Sequence, residues 1–192
     1  MADALCWVAM SEPERVPPGA DMLGFVTEQM AFVGLGDEDM ALIRRTAPLV
    51  LAHEEALTSA LYDHLLKFPA TARFFVKEDG SPDRERIERR KHSLARWLRE
   101  TAEIATREGS AYYVLGVALS HSHRGQRPGG QIPAQFMVGA MSLTQSALAG
   151  ILEAELADPR EALHASAAWN KLMLVHLNVL LIGYMLPPAA GT

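Results

Sequence analysis

Apolar residues recur along this chain at three- and four-residue steps, the spacing of one face of an α-helix. Alternating Val/Ile-rich runs joined by hairpin turns are absent, so the expected class is all-α. Asp21–Val33 predicts a short leading helix. Gly36-Asp37 gives a stop and a new cap, and a helical pattern then runs to about Phe68, with Pro48 as a break or junction. Pro69–Val76 is short and aromatic. Glu78-Asp79-Gly80-Ser81-Pro82 reads as a turn, with Ser81 as helix cap and Pro82 as the first helical residue. That helix runs to about Arg107, Gly109-Ser110 punctuates it, and another helix leads to Arg124. After a Gly/Pro segment (Gly125, Pro128, Gly129, Gly130) a helix is expected over Pro133–Leu156. Asp158-Pro159-Arg160-Glu161 is a capping box with proline at its first helical position, and it opens a last helix that ends before Pro187-Pro188. Ser11–Gly19 carries three prolines. The expected organisation is an irregular arm over 1–19 and one domain over 20–192, with no internal repeat.

Composition narrows the function classes. A chain of 192 residues suits one domain with a sizeable core. A net charge of −5 argues against nucleic acid as a partner. Cys6 is the sole cysteine, which excludes an internal disulfide or a thiolate zinc site and favours a cytoplasmic setting. Met1–Met10 contains Asp3 and lacks a basic leader, unlike a secretory signal. Ala167–Leu186 is near membrane-like, but it carries Asn170, Lys171, His176 and Asn178, so it reads as a core helix and no membrane partner is expected. No Gly-rich phosphate loop, nucleophile elbow or paired-carboxylate pattern is present.

The segment with the most chemistry is Val114–Arg124, an apolar helix that delivers His121 just before the Gly/Pro break. Helical spacing puts His121 on a face with Val114, Val117 and Ala118. An imidazole at the rim of an apolar face suits an axial haem ligand. On this segment alone the better reading is an ordinary surface or core histidine at a helix end, where a cation suits the helix dipole. His123 lies two residues on, roughly 200° around the helix, so the two rings do not share a face.

Phe74-Phe75-Val76-Lys77-Glu78-Asp79-Gly80-Ser81-Pro82, Arg96-Trp97-Leu98, Ala118-Leu119-Ser120-His121-Ser122-His123-Arg124 and Ile132-Pro133 follow in an order and spacing that resembles the protoglobins and the globin domains of globin-coupled sensors. The likeness covers about Leu49–Met141, and the leading helix before Gly36 also suits protoglobins. The resemblance implies a globin fold with an extra N-terminal helix. It implies one b-type haem whose iron is held by His121, in preference to His123. It places Tyr62 at the distal tyrosine, as a hydrogen-bond donor to bound dioxygen. Leu61 and Leu94 stand where protoglobins often have tryptophan and phenylalanine, which implies a roomier distal side. Val117 and Ala118 complete the expected haem contacts. Arg90, Arg124 and Arg127 are candidates for the propionates.

The implied role is reversible binding of dioxygen, carbon monoxide or nitric oxide by a gas sensor or carrier rather than an enzyme. A homodimer would form through the last two helices. Two other readings are a haem-free globin-fold regulatory module and a haem enzyme acting on nitric oxide or dioxygen. His176 has core spacing with Trp169, Leu172, Met173, Val179 and Gly183 and reads as a hydrogen-bonded core histidine. His53, His64 and His164 read as surface positions, and His92 points to solvent or the haem edge.

Overall fold

Caps and turns fix where each helix starts in the computed structural model, which describes residues 21–104, 108–122 and 130–186. Asp21 caps α1 (Met22–Phe32), its side chain accepting from the Gly24 N–H at 2.8 Å. α2 spans Asp37–Ala52, with Asp39 reaching back to the Gly36 N–H. Pro48 lies inside α2 and is not the junction. The break comes at His53, which ends α2 and starts α3 (Glu54–Leu66). Pro48 costs the helix one backbone bond, and Ile43, Ala47 and Val50, buried on both sides of it, hold the helix through that loss.

α4 (Pro69–Ala72) and a 3-10 turn over Arg73–Phe75 lead into a tight loop. In that loop Val76 pairs with Pro82 as an isolated antiparallel bridge, and Gly80 adopts a φ of 81°. The bridge displaces the expected cap. Pro82 stays outside the helix, and Asp83 rather than Ser81 caps α5 (Arg84–Ile104), accepting from the Arg86 N–H at 3.0 Å. α6 spans Glu108–Ser122, so Gly109 and Ser110 sit in its first turn and do not punctuate the chain. α7 covers Ala134–Glu155, and α8 covers Pro159–Met185. Asp158 caps α8 through the Arg160 N–H, but Glu161 does not close the box. It pairs instead with Arg45 on α2 at 2.6 Å. The arm over 1–19, His123, Arg124 and Arg127 lie outside the described residues.

α8 is the spine. It packs against α7, α6, α2 and α1. Its inward face runs through Ala165, Trp169, Leu172, Met173, Val179 and Leu180, all buried, so it is the core helix its sequence implies. α7 is shorter, 22 residues against 27, and nearly as apolar, but it buries few of its residues. Three polar ties set the register of α8. Trp169 Nε1 donates to Thr46 Oγ1 at 2.9 Å, Lys171 Nζ meets Asp39 at 2.8 Å, and Asn178 Nδ2 donates to Gln29 Oε1 at 2.8 Å. Where α8 crosses α6, Gly183 meets Ala118 so closely that a Cβ at 183 would lie 2.6 Å from the Ala118 methyl. Only glycine permits that approach. A second apolar cluster, of Tyr62, Phe74, Phe75 and Ile87, joins α3 to the loop before α5.

His176 is buried, as its spacing implies. Its Nδ1 lies 3.3 Å from Thr101 Oγ1, and its ring meets Trp97 edge-on, centroids 6.0 Å apart. Burial pushes its pKa down from 6.5 to about 4, so it folds neutral. Between those values the unfolded chain binds the extra proton, and stability therefore falls as pH drops from about 6.5 to 4. The full shift is worth about 3 kcal/mol. Denaturant titrations across this window should show the loss in the native chain and a markedly flatter profile for His176→Gln. Equal slopes in both would show that His176 does not carry it.

Candidate functional site

An apolar hollow with converging polar groups lies where α6 faces α3 and α5. It has a volume of about 450 Å³, within the roughly 300–1,000 Å³ typical of cofactor sites. α6 lines it with Tyr113, Gly116, Val117, Ser120 and His121, which recur at three- and four-residue steps and so form one helical face. That face is rotated from the one the sequence suggests. Val114 and Ala118 turn away into the core, with Ala118 fully buried against Gly183. Ala118 is therefore not a lining residue. The reason is that the most apolar side of α6 is claimed by α8, which leaves the smaller and more polar side to the cavity.

His121 is the penultimate residue of α6 and is half-buried on the cavity wall. Its Nδ1 lies 2.7 Å from the Val117 carbonyl oxygen. A carbonyl only accepts, so Nδ1 carries a proton, and in the neutral ring this tautomer puts the lone pair on Nε2. Ser120 Oγ, 3.2 Å from Nδ1, donates its own proton to the same carbonyl at 2.7 Å. This is the outer-shell arrangement that fixes tautomer and ring orientation in a metal-ligating histidine. The chain returns to this helix end, where the Ile132 N–H donates to the His121 carbonyl at 3.3 Å.

α3 contributes Leu61 and Tyr62 to the cavity. Tyr62 is buried and locked edge-on to Phe75, centroids 5.5 Å apart and planes 76° apart. The aromatic pair before the Asp-Gly turn thus acts as its buttress, and Arg86 holds the segment by donating to the Phe74 carbonyl at 3.2 Å. α5 contributes Arg90, Ser93, Leu94, Arg96 and Trp97. Behind them lie Ala140, Met141 and Thr144 of α7 and Leu180 of α8. The Thr144 hydroxyl is spent on the Ala140 carbonyl. Of the residues the sequence points to, Leu61, Tyr62, Leu94, Val117 and His121 meet in this one cavity.

Two aromatic rings of the lining were not singled out as site residues by the sequence. Tyr113 lies beneath Arg96, whose guanidinium carbon is 5.3 Å from the ring centroid. Burial raises the Tyr113 phenol above its ordinary value, so it keeps its proton at neutral pH. Its spacing, eight residues before His121, is the signal that would have found it. Trp97 is the other. Its indole Nε1 is buried with no acceptor among the described residues.

A smaller hollow of about 250 Å³ adjoins the first and shares Leu61, Leu94, Trp97 and Thr144 as its wall. His64 lines it and stacks at a tilt on Phe68, while His53 pairs with Glu155 at 2.8 Å. Both are half-buried rather than plain surface residues. His92 and His164 are exposed.

The donor set bears on what the cavity can hold. Among the described residues no three His, Cys, Asp or Glu side chains converge as a metal site. A single oriented imidazole in an apolar cavity fits a metal that arrives already held by a macrocycle. A bare ion would need three or four protein ligands. The residues present therefore fit a haem.

Comparison with known proteins agrees with this geometry. The family model described as Protoglobin matches residues 25–186. No curated protein sequence matches the chain. Among solved structures, the globin domain of the Geobacter sulfurreducens globin-coupled sensor aligns with a TM-score of 0.66 at 22% identity, over 82% of this chain and 96% of that one. The globin domain of E. coli DosC aligns with a TM-score of 0.64 in its ferrous form (15% identity, 82% of this chain, 97% of that one). Its ferric form gives 0.64 as well (14% identity, 82% and 98%). These likenesses establish the globin fold, and the family match over residues 25–186 shows that the chain belongs to the protoglobin family.

Proposed function

We propose that this chain binds one b-type haem through His121 and uses it to bind dioxygen, carbon monoxide or nitric oxide reversibly, as a gas sensor or carrier. The observation that carries the reading is the Nδ1 contact to the Val117 carbonyl on the wall of a cofactor-sized cavity. When bound, the haem iron supplies the open coordination position that a diatomic gas requires. The protein's part is to orient the imidazole, exclude water with an apolar lining and provide a polar group for the gas. Membership of a haem-globin family and the retained His121 and Tyr62 favour this reading over a haem-free regulatory module.

His121→Gly should abolish or strongly weaken the Soret band of the reconstituted protein, and added imidazole should restore much of it. Rescue by imidazole separates loss of the ligand from loss of the fold. A His121→Gly protein that takes up haem with an unchanged spectrum overturns the assignment.

Tyr62 is the lining residue best placed on α3 to serve a bound gas, because Phe75 fixes its ring. Bound dioxygen carries partial negative charge, and a hydrogen bond to such a group contributes about 1.5–3 kcal/mol. Tyr62→Phe should therefore speed dioxygen release about tenfold or more, with a much smaller change for carbon monoxide. Stopped-flow release rates measure this, and an unchanged dioxygen rate would show that the hydroxyl serves another purpose.

The reading extends to a second copy of the chain. α7 leaves Val138 exposed, and α8 leaves Leu163 and Leu174 exposed, on helices whose other sides form the core. Pairing of these two helices with their copies would cover that surface. Light scattering should give twice the 21.0 kDa chain mass, and a mass of one chain at micromolar concentration rejects the dimer.

A further inference from the structure

α5 concentrates positive charge in an acidic protein. Between Arg84 and Ile104 it carries seven lysines and arginines against four glutamates, while the whole chain has a net charge of −5. Carboxylates on the same helix pair with some of them: exposed Glu85 with Arg89, exposed Glu88 with Lys91 at 3.1 Å, and half-buried Glu100 with Arg96 at 3.6 Å. Such solvated pairs hold their partners weakly. Arg86, Arg89, Arg90 and Ser93, all on one face of α5, border an open polar groove of about 450 Å³. Arg90 and Ser93 also line the apolar cavity. The two spaces therefore meet along one stretch of α5, apolar on the His121 side and cationic on the other.

This juxtaposition fits an amphipathic ligand with a flat apolar body and an anionic edge. We propose that Arg90, with Arg86 and Arg89, forms the seat for the carboxylates of the tetrapyrrole, so that its propionate edge lies over the first half of α5. The inference rests on the haem reading and adds the orientation of the group and the residues that hold it. Guanidinium is the suitable cation, because its planar fork meets a carboxylate with two parallel hydrogen bonds. Ser93 supplies no donor, since its hydroxyl is already given to the Arg89 carbonyl at 2.9 Å. Arg96 is turned to Tyr113 and Glu100 and belongs to the opposite end of the cavity wall. Of the three arginines the sequence offers, Arg90 is the one among the described residues, and it lines both the cavity and the groove.

The test titrates the haem-free full chain with ferric protoporphyrin IX and, separately, with its dimethyl ester, following the Soret band and tryptophan quenching. The native chain should prefer the free acid, and added salt should narrow the preference. Arg90→Gln should weaken free-acid binding about tenfold or more and ester binding far less, and Arg89→Gln should act in the same direction by a smaller factor. The ester titration also reports whether each variant still folds around the cavity. Equal loss for acid and ester in Arg90→Gln, or no loss for either, overturns the carboxylate seat while the haem reading stands. If the native chain binds neither compound, the haem reading itself fails, and the seat fails with it.

Discussion

The contact between Gly183 and Ala118 sets the geometry on which the cavity depends. With no side chain on Gly183, α6 lies directly on the backbone of α8. Overpacking a close contact typically costs 1–3 kcal/mol, because a packed core relaxes only in part. Here relaxation would have to lift α6 itself. Ala118 is three residues before His121, less than one helical turn. The height of α6 on α8 is therefore the height at which the imidazole is presented. The side of α6 turned from α8 becomes the cavity wall, and its residues need not be strongly apolar to hold the helix in place.

The facing wall is fixed by other means. α3 and α5 are joined through the cluster of Tyr62, Phe74, Phe75 and Ile87 and through the Val76–Pro82 bridge, which delivers α5 at its starting angle. Glu54 and Arg99 pair between the two helices as well. Each wall thus has its own anchor: α8 for α6, and the aromatic cluster for α3 and α5. Packed interiors have few voids larger than a water molecule, so a hollow of about 450 Å³ forgoes contacts that both walls would otherwise make. Two independently braced walls are what allow it to persist, and a ligand that fills it adds stability by mass action.

The order of helices, the leading helix and His121 at its helix end were legible in the sequence, because spacing and turn chemistry are local properties; Tyr62, Leu61 and Leu94 come from the resemblance to protoglobins and not from spacing. The face of α6 was not. Apolar periodicity points to whatever a helix packs on most tightly, which here is α8. The cavity face of Tyr113, Gly116 and Ser120 has little hydrophobic signal for that reason. The cap of α5 was misplaced because a strand-like bridge at Pro82 depends on Val76 coming near in space. Pro48 reflects the same limit. A breaker in sequence ends a helix only when the surrounding packing does not hold it, and the burial of Ile43, Ala47 and Val50 holds it at Pro48. Arg90 stands in the sequence only as one of three propionate candidates, and its place in both cavity and groove is what separates it from Arg86 and Arg89.

Behind the cavity the protein tolerates polar groups that do not stabilise it by themselves. Trp97 forms part of the wall between the two hollows, and its buried Nε1 lacks an acceptor among the described residues. An unmet donor of this kind costs about 1–3 kcal/mol. The same indole covers the edge of His176, which is itself held neutral by burial and touches Thr101. A phenylalanine at 97 and a leucine at 176 would remove both liabilities, but they would also remove width from the wall and the polar contact that orients the ring behind it. The α5–α8 contact thus keeps a broad, rigid ring between the hollows at the expense of stability. That trade matches a fold in which the shape of the cavity, rather than the tightness of the core, decides what the protein can hold.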